Sequence, residues 1–456
     1  MPYIPHTPEE VKAMLACINA PSIDALFDEI SPELKQQPFK ALPEGLSEMA
    51  LLQHAKTLAS QNISHACFIG AGSYEHHIPA AVWDIASRGE FLTAYTPYQA
   101  EASQGTLQLL YEFQTMIAEL TGMDIANASL YDGATALVEA VLMTLRLHKQ
   151  KSDHLILVPE TLHPLYREAL ATLLQYHQLT LTTLPMDPST GTTALDALEA
   201  YQDSAATALI IPQPNFFGQL EPIDALADWA HAHQVTSIAV VNPISLALLK
   251  PPGHWGEHGV DIACGEGQPL GSPMAGGGPY VGFFSTRKQY ARQIPGRLVG
   301  CTTDAEGRTG YTLTLQAREQ HIRRGKATSN ICTNQGLLVT TATIHMSFLG
   351  PEGLRRVATD CHRNTRVLLQ KLIEIPGISR VFQGPFFHEI LIQLPTPVGP
   401  IVEALAAQGI LAGYAPESHY ADYPNTLLVC ATECRTDAEI NFFADTLKTL
   451  LVETSL

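Results

Sequence analysis

The sequence predicts an α/β fold in which a large, mostly parallel sheet carries helices on both faces and is followed by a smaller α+β domain. Three observations predict it. Strand-like apolar runs alternate with helical patterns: HLILVP, a helix over 161–177, LTLTTLP, a helix around 194–202, ATALIIPQ, a helix over 222–234, then SIAVVN. Such alternation builds parallel strands whose crossover helices cover the sheet. From about residue 335 the order changes, with the helices NQGLLVTTATIHMSFLG and PEGLRRVATDCHRNTRVLLQKLIEI preceding the strands FFHEILIQL and TLLVCAT. Finally, 456 residues with 46% hydrophobic content exceed one ordinary domain and can bury a large core. The predicted layout is a helical arm over 1–62, the large domain over 63–334 and the small domain over 335–456.

In chain order, Thr7, Pro8 and Glu10 form a capping box with proline at the first helical position. PSIDALFDEIS and SEMALLQHAKTLASQ continue as amphipathic helices, an arm that either wraps a neighbouring subunit or packs on its own domain. CFIGAGSYEHHIP lacks the third glycine of a dinucleotide fingerprint and has no long helix directly after it, which argues against a nucleotide site. Adjacent His76 and His77 point different ways, so a hydrogen-bonded or interface role is favoured over a shared metal. After a helix near Ile78 to Ser87 comes FLTAYTPYQAEASQGTLQLLYEFQTMIAELTGMD. Its second half is a helix, with Leu107, Leu110, Phe113, Ile117 and Leu120 on one stripe and Gly122 as the stop. Its first half, with Tyr95, Thr96, Pro97, Tyr98, Gln99, Glu101, Ser103 and Gln104, suits a polar cleft or an interface.

The turn Tyr131-Asp132-Gly133 before a helix is an anion-receptive geometry, since free backbone N–H groups and the helix dipole both face it. In a parallel sheet the site lies at the carboxyl ends of the strands, here Gln213, Pro214, Asn215 and Asn242. Val260 to Gly282 reads as strand, glycine-rich loop, strand. No lysine occurs between Lys250 and Lys288, so this loop cannot supply an amine for a Schiff base. Positive charge gathers in 287–333, with Arg287, Arg292, Arg297, Arg308, Arg318, Arg323, Arg324 and Lys326. That cluster fits an anionic ligand or acidic partner as well as it fits a salt-bridged domain junction.

A net charge of −18 argues against nucleic-acid and anionic-membrane binding, both of which need clustered Lys and Arg. Eight scattered cysteines without paired CxxC spacing fit reduced thiols, with neither disulfides nor zinc. The first residues show no basic region followed by an apolar core, and no apolar run reaches membrane-spanning length. A cytoplasmic protein is expected.

FIGAGSYEHHIP, FLTAYTPYQAEASQGTLQLLYEFQTMIAELTGMDIANASLYDGATALVEA, DIACGEGQPLGSPMAGGGPYVGFF and PGRLVGCTTDAEGRTGYTLTLQAREQHIRRGKATSNICTNQGL together resemble the glycine cleavage system P-protein family. The resemblance spans essentially the whole chain and is to the N-terminal half or separate first subunit. It implies a fold type I pyridoxal phosphate (PLP) architecture. In the two-subunit form, the second, homologous subunit carries PLP on a lysine; counting back from GGGP, that position is Gln268 here. The strand-end carboxylate that pairs with the pyridine nitrogen matches Asn242. The resemblance therefore implies a chain with no covalently bound cofactor, paired two-and-two with a PLP-bearing relative. The complex would decarboxylate glycine, release CO2 and pass the aminomethyl group to the lipoyl arm of the H-protein. Tyr95, Thr96, Tyr98, Gln99, Glu101 and Gln104 are then expected at the joint interface, with the loop carrying Ser73, His76 and His77 beside them. A stand-alone PLP enzyme using Lys250 or Lys326, and a purely structural partner subunit, are the competing expectations.

Overall fold

The computed structural model describes residues 5–35, 42–62, 65–93, 95–149, 153–202 and 206–454, and the chain divides into two compact units, Met1–Ser64 and His65–Leu456. Residue 63, where the large domain was expected to start, lies outside the described residues. The first unit contains α1 (Pro8–Cys17), α2 (Pro32–Lys35) and α3 (Glu48–Ala59). The capping box of α1 is formed in both directions: Glu10 N–H donates to Thr7 Oγ1 at 3.3 Å and Thr7 N–H to the Glu10 carboxylate at 2.7 Å. PSIDALFDEIS, in contrast, makes only a 3-10 turn over Asp24–Phe27. So short a stretch between Pro21 and Pro32 cannot recover the cost of helix nucleation without a buried face. No side chain of these helices is buried, and Met14, Ile18, Met49, Leu51, Leu52 and Leu58 are exposed.

The second unit begins with β1 (Ala66–Cys67), α4 (Ala80–Ala86), α5 (Gly89–Leu92) and α6 (Gln104–Thr121). α6 buries Leu107, Leu110, Phe113 and Ile117 at helical spacing and ends on Gly122 in the left-handed region (φ 66°), as its pattern predicts. Then follow β2 (Ile125–Ala126), α7 (Gly133–Leu147), β3 (His154–Pro159), α8 (Pro164–Leu174), β4 (Leu179–Leu184), β5 (Ala206–Gln213), α9 (Ile223–Ala232), β6 (Thr236–Val241), β7 (Ile262–Glu266) and β8 (Gly282–Thr286). They build a seven-stranded sheet in the order β2-β8-β7-β6-β5-β3-β4. β4, β3, β5, β6 and β7 are parallel; β8 runs antiparallel to β7, and β2 at the edge is antiparallel to β8 and so follows the direction of the parallel strands. β5 is buried at every position, as a central strand covered on both faces must be. One face packs Leu209, Ile211 and Val241 with Phe113 of α6 and Leu226 of α9. The other packs Ile210 and Ile238 with Leu137 and Val141 of α7 and Leu170 of α8.

Within the charged stretch after β8 lies an antiparallel hairpin, β9 (Leu298–Thr303) with β10 (Thr309–Thr314). Asp304 closes its turn by accepting from the Glu306 and Arg308 amides. Beyond α10 (Gln320–Arg323), the two helices read from 335 onward are both present: α11 (Gly336–Ile373) is two helical segments joined at a kink, with non-helical backbone at Gly350 (φ 58°, ψ −176°) just before Pro351. Leu338, Met346 and Cys361 of α11 belong to the large core, whereas Leu368 and Leu372 belong to a second core. That second core is completed by β11 (Ser379–Arg380), β12 (Glu389–Gln393), α12 (Val398–Ala407), β13 (Ile410–Leu411), β14 (Thr426–Cys430) and α13 (Asp437–Thr454). β11, β12 and β14 form an antiparallel sheet, and β1 returns to pair in parallel with β13, placing Phe68 in the same core. The loop after β1 is thereby carried across the strand ends of the large sheet.

Candidate functional site at the strand ends

The carboxyl ends of β5, β6 and β7 face a small cavity of about 80 Å³, bordered by Gly72 and Tyr74 from the loop after β1, by His163, Asn215 and Asn242, and by two carboxylates, Glu266 and Glu389. Glu266 ends β7. Its Oε2 accepts from Gly133 N–H, the first residue of α7, at 2.9 Å, and its Oε1 accepts from Gln268 N–H at 2.9 Å and Val281 N–H at 3.2 Å. Glu389, which starts β12, accepts from Ala71 N–H at 2.6 Å and from the Tyr74 hydroxyl at 2.7 Å. Burial pushes both carboxyls up to about 7, against the pull of these donors. The anion-receptive turn read at Asp132 thus has two acids at it. Asp132 accepts from Thr135 N–H at 2.9 Å and caps α7, and Glu266 takes the Gly133 amide.

Gln268, expected where a cofactor lysine would stand, is 1% exposed. Its Oε1 accepts from Tyr74 N–H at 3.0 Å, and its Nε2 donates to Tyr74 O and Ser272 O, each at 2.9 Å. Both ends of the amide are thus engaged in tying the loop after β1 to the loop after β7. Asn242 borders the cavity, but its Oδ1 accepts from Ile244 N–H at 2.9 Å and Ser245 N–H at 3.3 Å, so it shapes its own turn. Asn215 lies on the cavity wall too and gives its amide to Gly191 O at 2.7 Å and Glu221 at 2.8 Å, while Gln213 accepts from Glu221 N–H. Among the described residues, no lysine borders the cavity. Lys250 pairs with Asp224 at 2.8 Å on a half-exposed surface, and Lys326 is exposed.

The other sequence-predicted residues fall into two groups that no hydrogen bond joins among the described residues. In the first, Ser73 Oγ donates to the Tyr280 hydroxyl at 3.2 Å, and the two histidines converge on one carboxylate. His76 Nδ1 lies 2.8 Å from Glu433 Oε2, and His77 donates its backbone N–H to Glu433 Oε1 at 2.8 Å. The Cys361 thiol donates to the same carboxylate at 3.2 Å, so the donor atoms of His76, Cys361 and Glu433 lie within 4.8 Å of one another. Burial works to raise the Glu433 carboxyl, but the His76 hydrogen bond and charge and the His77 N–H together take it down to about 2. His76 through its side chain and His77 through its backbone both hold the loop to Glu433.

In the second group, Arg297 is the hub. Its guanidinium, 3% exposed, donates to Thr96 Oγ1 at 3.3 Å, to the Tyr98 hydroxyl at 3.2 Å and to Cys332 O at 3.2 Å, with Glu319 at 3.8 Å. Tyr95 is 80% exposed and Tyr98 53% exposed, and Gln99 and Glu101 also face outward. Gln104 instead clasps the backbone of Tyr311, donating to its carbonyl at 2.8 Å and accepting from its N–H at 2.9 Å. The basic stretch divides in the same way among internal acceptors. Arg287 donates to Val260 O, Gly253 O and His258 O, Arg318 to Ile294 O and Gly296 O, and Arg308 pairs with Asp304 and Glu306.

Sequence reasoning missed Glu266, Glu389 and Glu433. A signal existed for the first two, since each is an acid at the end of an otherwise apolar run, IACGEG and HEILIQL, where an unpaired charge would be costly.

Residues 1–447 match the family described as glycine cleavage system P-protein. A Legionella pneumophila protein named probable glycine dehydrogenase (decarboxylating) subunit 1 is 61% identical over 451 residues, spanning 99% of each chain. A crystal structure of a glycine decarboxylase (P-protein) of the glycine cleavage system, in inhibitor-bound form, is similar with a TM-score of 0.88 and 43% identity, over 99% of this chain and 100% of that one. A sphingosine-1-phosphate lyase of Burkholderia pseudomallei, with a TM-score of 0.66 and 16% identity over 93% of this chain and 95% of that one, shares the fold alone. The architecture is the predicted fold type I arrangement. With a match over nearly its whole length and close relatives of equal length, the chain belongs to the glycine cleavage system P-protein family.

Proposed function

We propose that this chain is the cofactor-free subunit of a glycine decarboxylase, acting in the cytoplasm with a homologous subunit that carries PLP. The complex converts glycine to CO2 and an aminomethyl group, which the lipoyl arm of the H-protein receives. The observation that carries the reading is Gln268, a buried amide engaged at both ends at the position where an amine would be required. A phosphorylated aldehyde does not fit this chain's own pocket. About 80 Å³ leaves little room for it, no lysine borders the cavity among the described residues, and two carboxylates do.

On the partner, PLP supplies an electron sink for the carbon that loses CO2. This chain's contribution is positional. Arg297 holds Thr96 and Tyr98 by their hydroxyls, which fixes the outward-facing stretch Tyr95 to Glu101 in one shape before any partner arrives. Two tyrosines, a glutamine and a glutamate on a pre-ordered loop can donate and accept at a joint site without a further ordering cost. The loop from Ser73 to His77 is fixed independently by Tyr280, Gln268 and Glu433.

Reconstitution tests the reading. The chain purified alone should show no absorbance near the visible edge that borohydride fixes to a lysine, and a stand-alone enzyme should show it. With the PLP-bearing partner added, Tyr98→Phe and Gln99→Ala are expected to lower glycine decarboxylation by about tenfold or more while the subunits still associate. Full activity in both variants would remove the loop from the site.

A further inference from the structure

The cavity contains a feature that neither the family match nor the missing lysine explains. Free N–H groups at a helix start attract anions, and a phosphate bound against this sheet would find them at the N-terminus of α7. Here two of them, on Gly133 and Thr135, are already in use. Gly133 N–H donates to Glu266 Oε2, Thr135 N–H donates to Asp132, and the second oxygen of Glu266 collects the amides of Gln268 and Val281. Little room remains for another occupant. A methyl group on Gly133 would stand 2.7 Å from Glu266 N, so the end of β7 and the start of α7 are in direct contact.

We propose that Glu266 is a built-in replacement for a ligand phosphate. Its carboxylate fills the anion position at the start of α7, bars phosphorylated ligands from the pocket, and links β7, β8 and α7 as a bound phosphate otherwise could. The inference rests on the reading of this chain as the cofactor-free subunit and adds its physical cause: removal of the lysine alone would leave a pocket that still attracts phosphate. Above about pH 7, where the Glu266 carboxyl is ionised, a dianion entering beside Glu266 and Asp132 meets two like charges and displaces three backbone hydrogen bonds.

Chemical rescue with inorganic phosphate tests it on the full chain. Glu266→Ser empties the position, and Glu266→Gln keeps its shape and its acceptor for Gly133 N–H while removing the charge. At pH 8, where Glu266 carries its charge, the parent should show no saturable phosphate binding by calorimetry or 31P NMR at millimolar concentration. Both variants should melt at lower temperature than the parent, bind phosphate at least about tenfold more tightly, Glu266→Ser more so, and regain stability as phosphate saturates. The parent's own shift in the same phosphate is subtracted, because excluded salts stabilise any fold. Saturable binding to the parent overturns the proposal, and so do folded variants that gain neither affinity nor stability. A PLP band in the parent as purified would instead overturn the cofactor-free reading, which keeps the two failures apart.

Discussion

Two interior carboxylates, Glu389 and Glu433, couple this fold to pH, and they act in opposite directions. Glu389 is buried with its carboxyl pushed up to about 7. A group that holds its proton more tightly when folded contributes stability below its unfolded value near 4.5 and loses it as pH rises toward 7. Glu389→Gln preserves an acceptor for Ala71 N–H and a partner for the Tyr74 hydroxyl. Urea unfolding should therefore show the variant gaining on the parent between pH 5 and pH 8, by up to about 3 kcal/mol; a constant difference would contradict the assignment. Glu433 has the reverse sign. Its carboxyl sits at about 2, so its stabilisation is present above 4.5 and fades as pH falls from there toward 2. Glu433→Gln should cost about 3 kcal/mol at pH 7 and progressively less near pH 3, because it leaves His76 buried without its charged partner. Legibility at this scale was uneven. Gln268 and Asn242 stood out because a required chemistry was missing from them. The carboxylates that hold the site together did not, since each one's partners are far away in sequence: Glu389 bonds Ala71 and Tyr74, and Glu433 bonds His76 and His77.

Among elements, α6 shows how one helix supports a strand pair that has little core of its own. Gln104 and Gln114 each make a two-way amide clasp on the β9-β10 hairpin, the first with Tyr311 and the second with Val299 (3.0 Å to its carbonyl, 2.9 Å from its N–H). The clasps differ in burial, Gln114 being buried and Gln104 exposed. Gln114→Leu strands a buried donor and acceptor on Val299 and is expected to cost about 1–3 kcal/mol, whereas Gln104→Leu lets water replace the amide and should cost under about 1 kcal/mol. Denaturant unfolding of the two variants checks the ordering, and equal losses would mean that the clasps do not carry the hairpin. The sequence shows α6 plainly, because its apolar stripe repeats at helical spacing. It hides the hairpin, because β9 and β10 alternate around threonine and glycine rather than a strong apolar face, and the charge around them draws the eye first. The bend of α11 was legible as a break at FLG-PEG: Gly350 adopts a positive φ that glycine accepts most readily, and Pro351 cannot continue the preceding turn.

For the whole molecule, the repeating strand-helix pattern was enough to give the parallel sheet and its covering helices. The return of β1 to β13 was not, since two residues of strand carry no periodic signal and the pairing spans most of the chain. The same limit applies to the loop from Tyr95 to Glu101, whose outward shape is set by Arg297, a residue about two hundred positions away. That dependence supplies a test of how this chain acts within a complex. If Arg297 is a positioning residue for a loop that enters the partner's site, Arg297→Ala should lower turnover of the reconstituted glycine decarboxylase by about tenfold to a hundredfold, the scale set by misplacing a catalytic neighbour by an ångström. The loss should appear in kcat, with the subunits associating as tightly as before by sedimentation. Arg297→Lys keeps the charge but can reach only one of the two hydroxyls at a time, so it should recover part of the activity. A merely structural arginine would give a different pattern, with weakened association or a lowered melting temperature tracking the activity loss. Normal turnover in Arg297→Ala would mean that the loop's shape does not matter to catalysis, and this chain's role would then be confined to holding its partner.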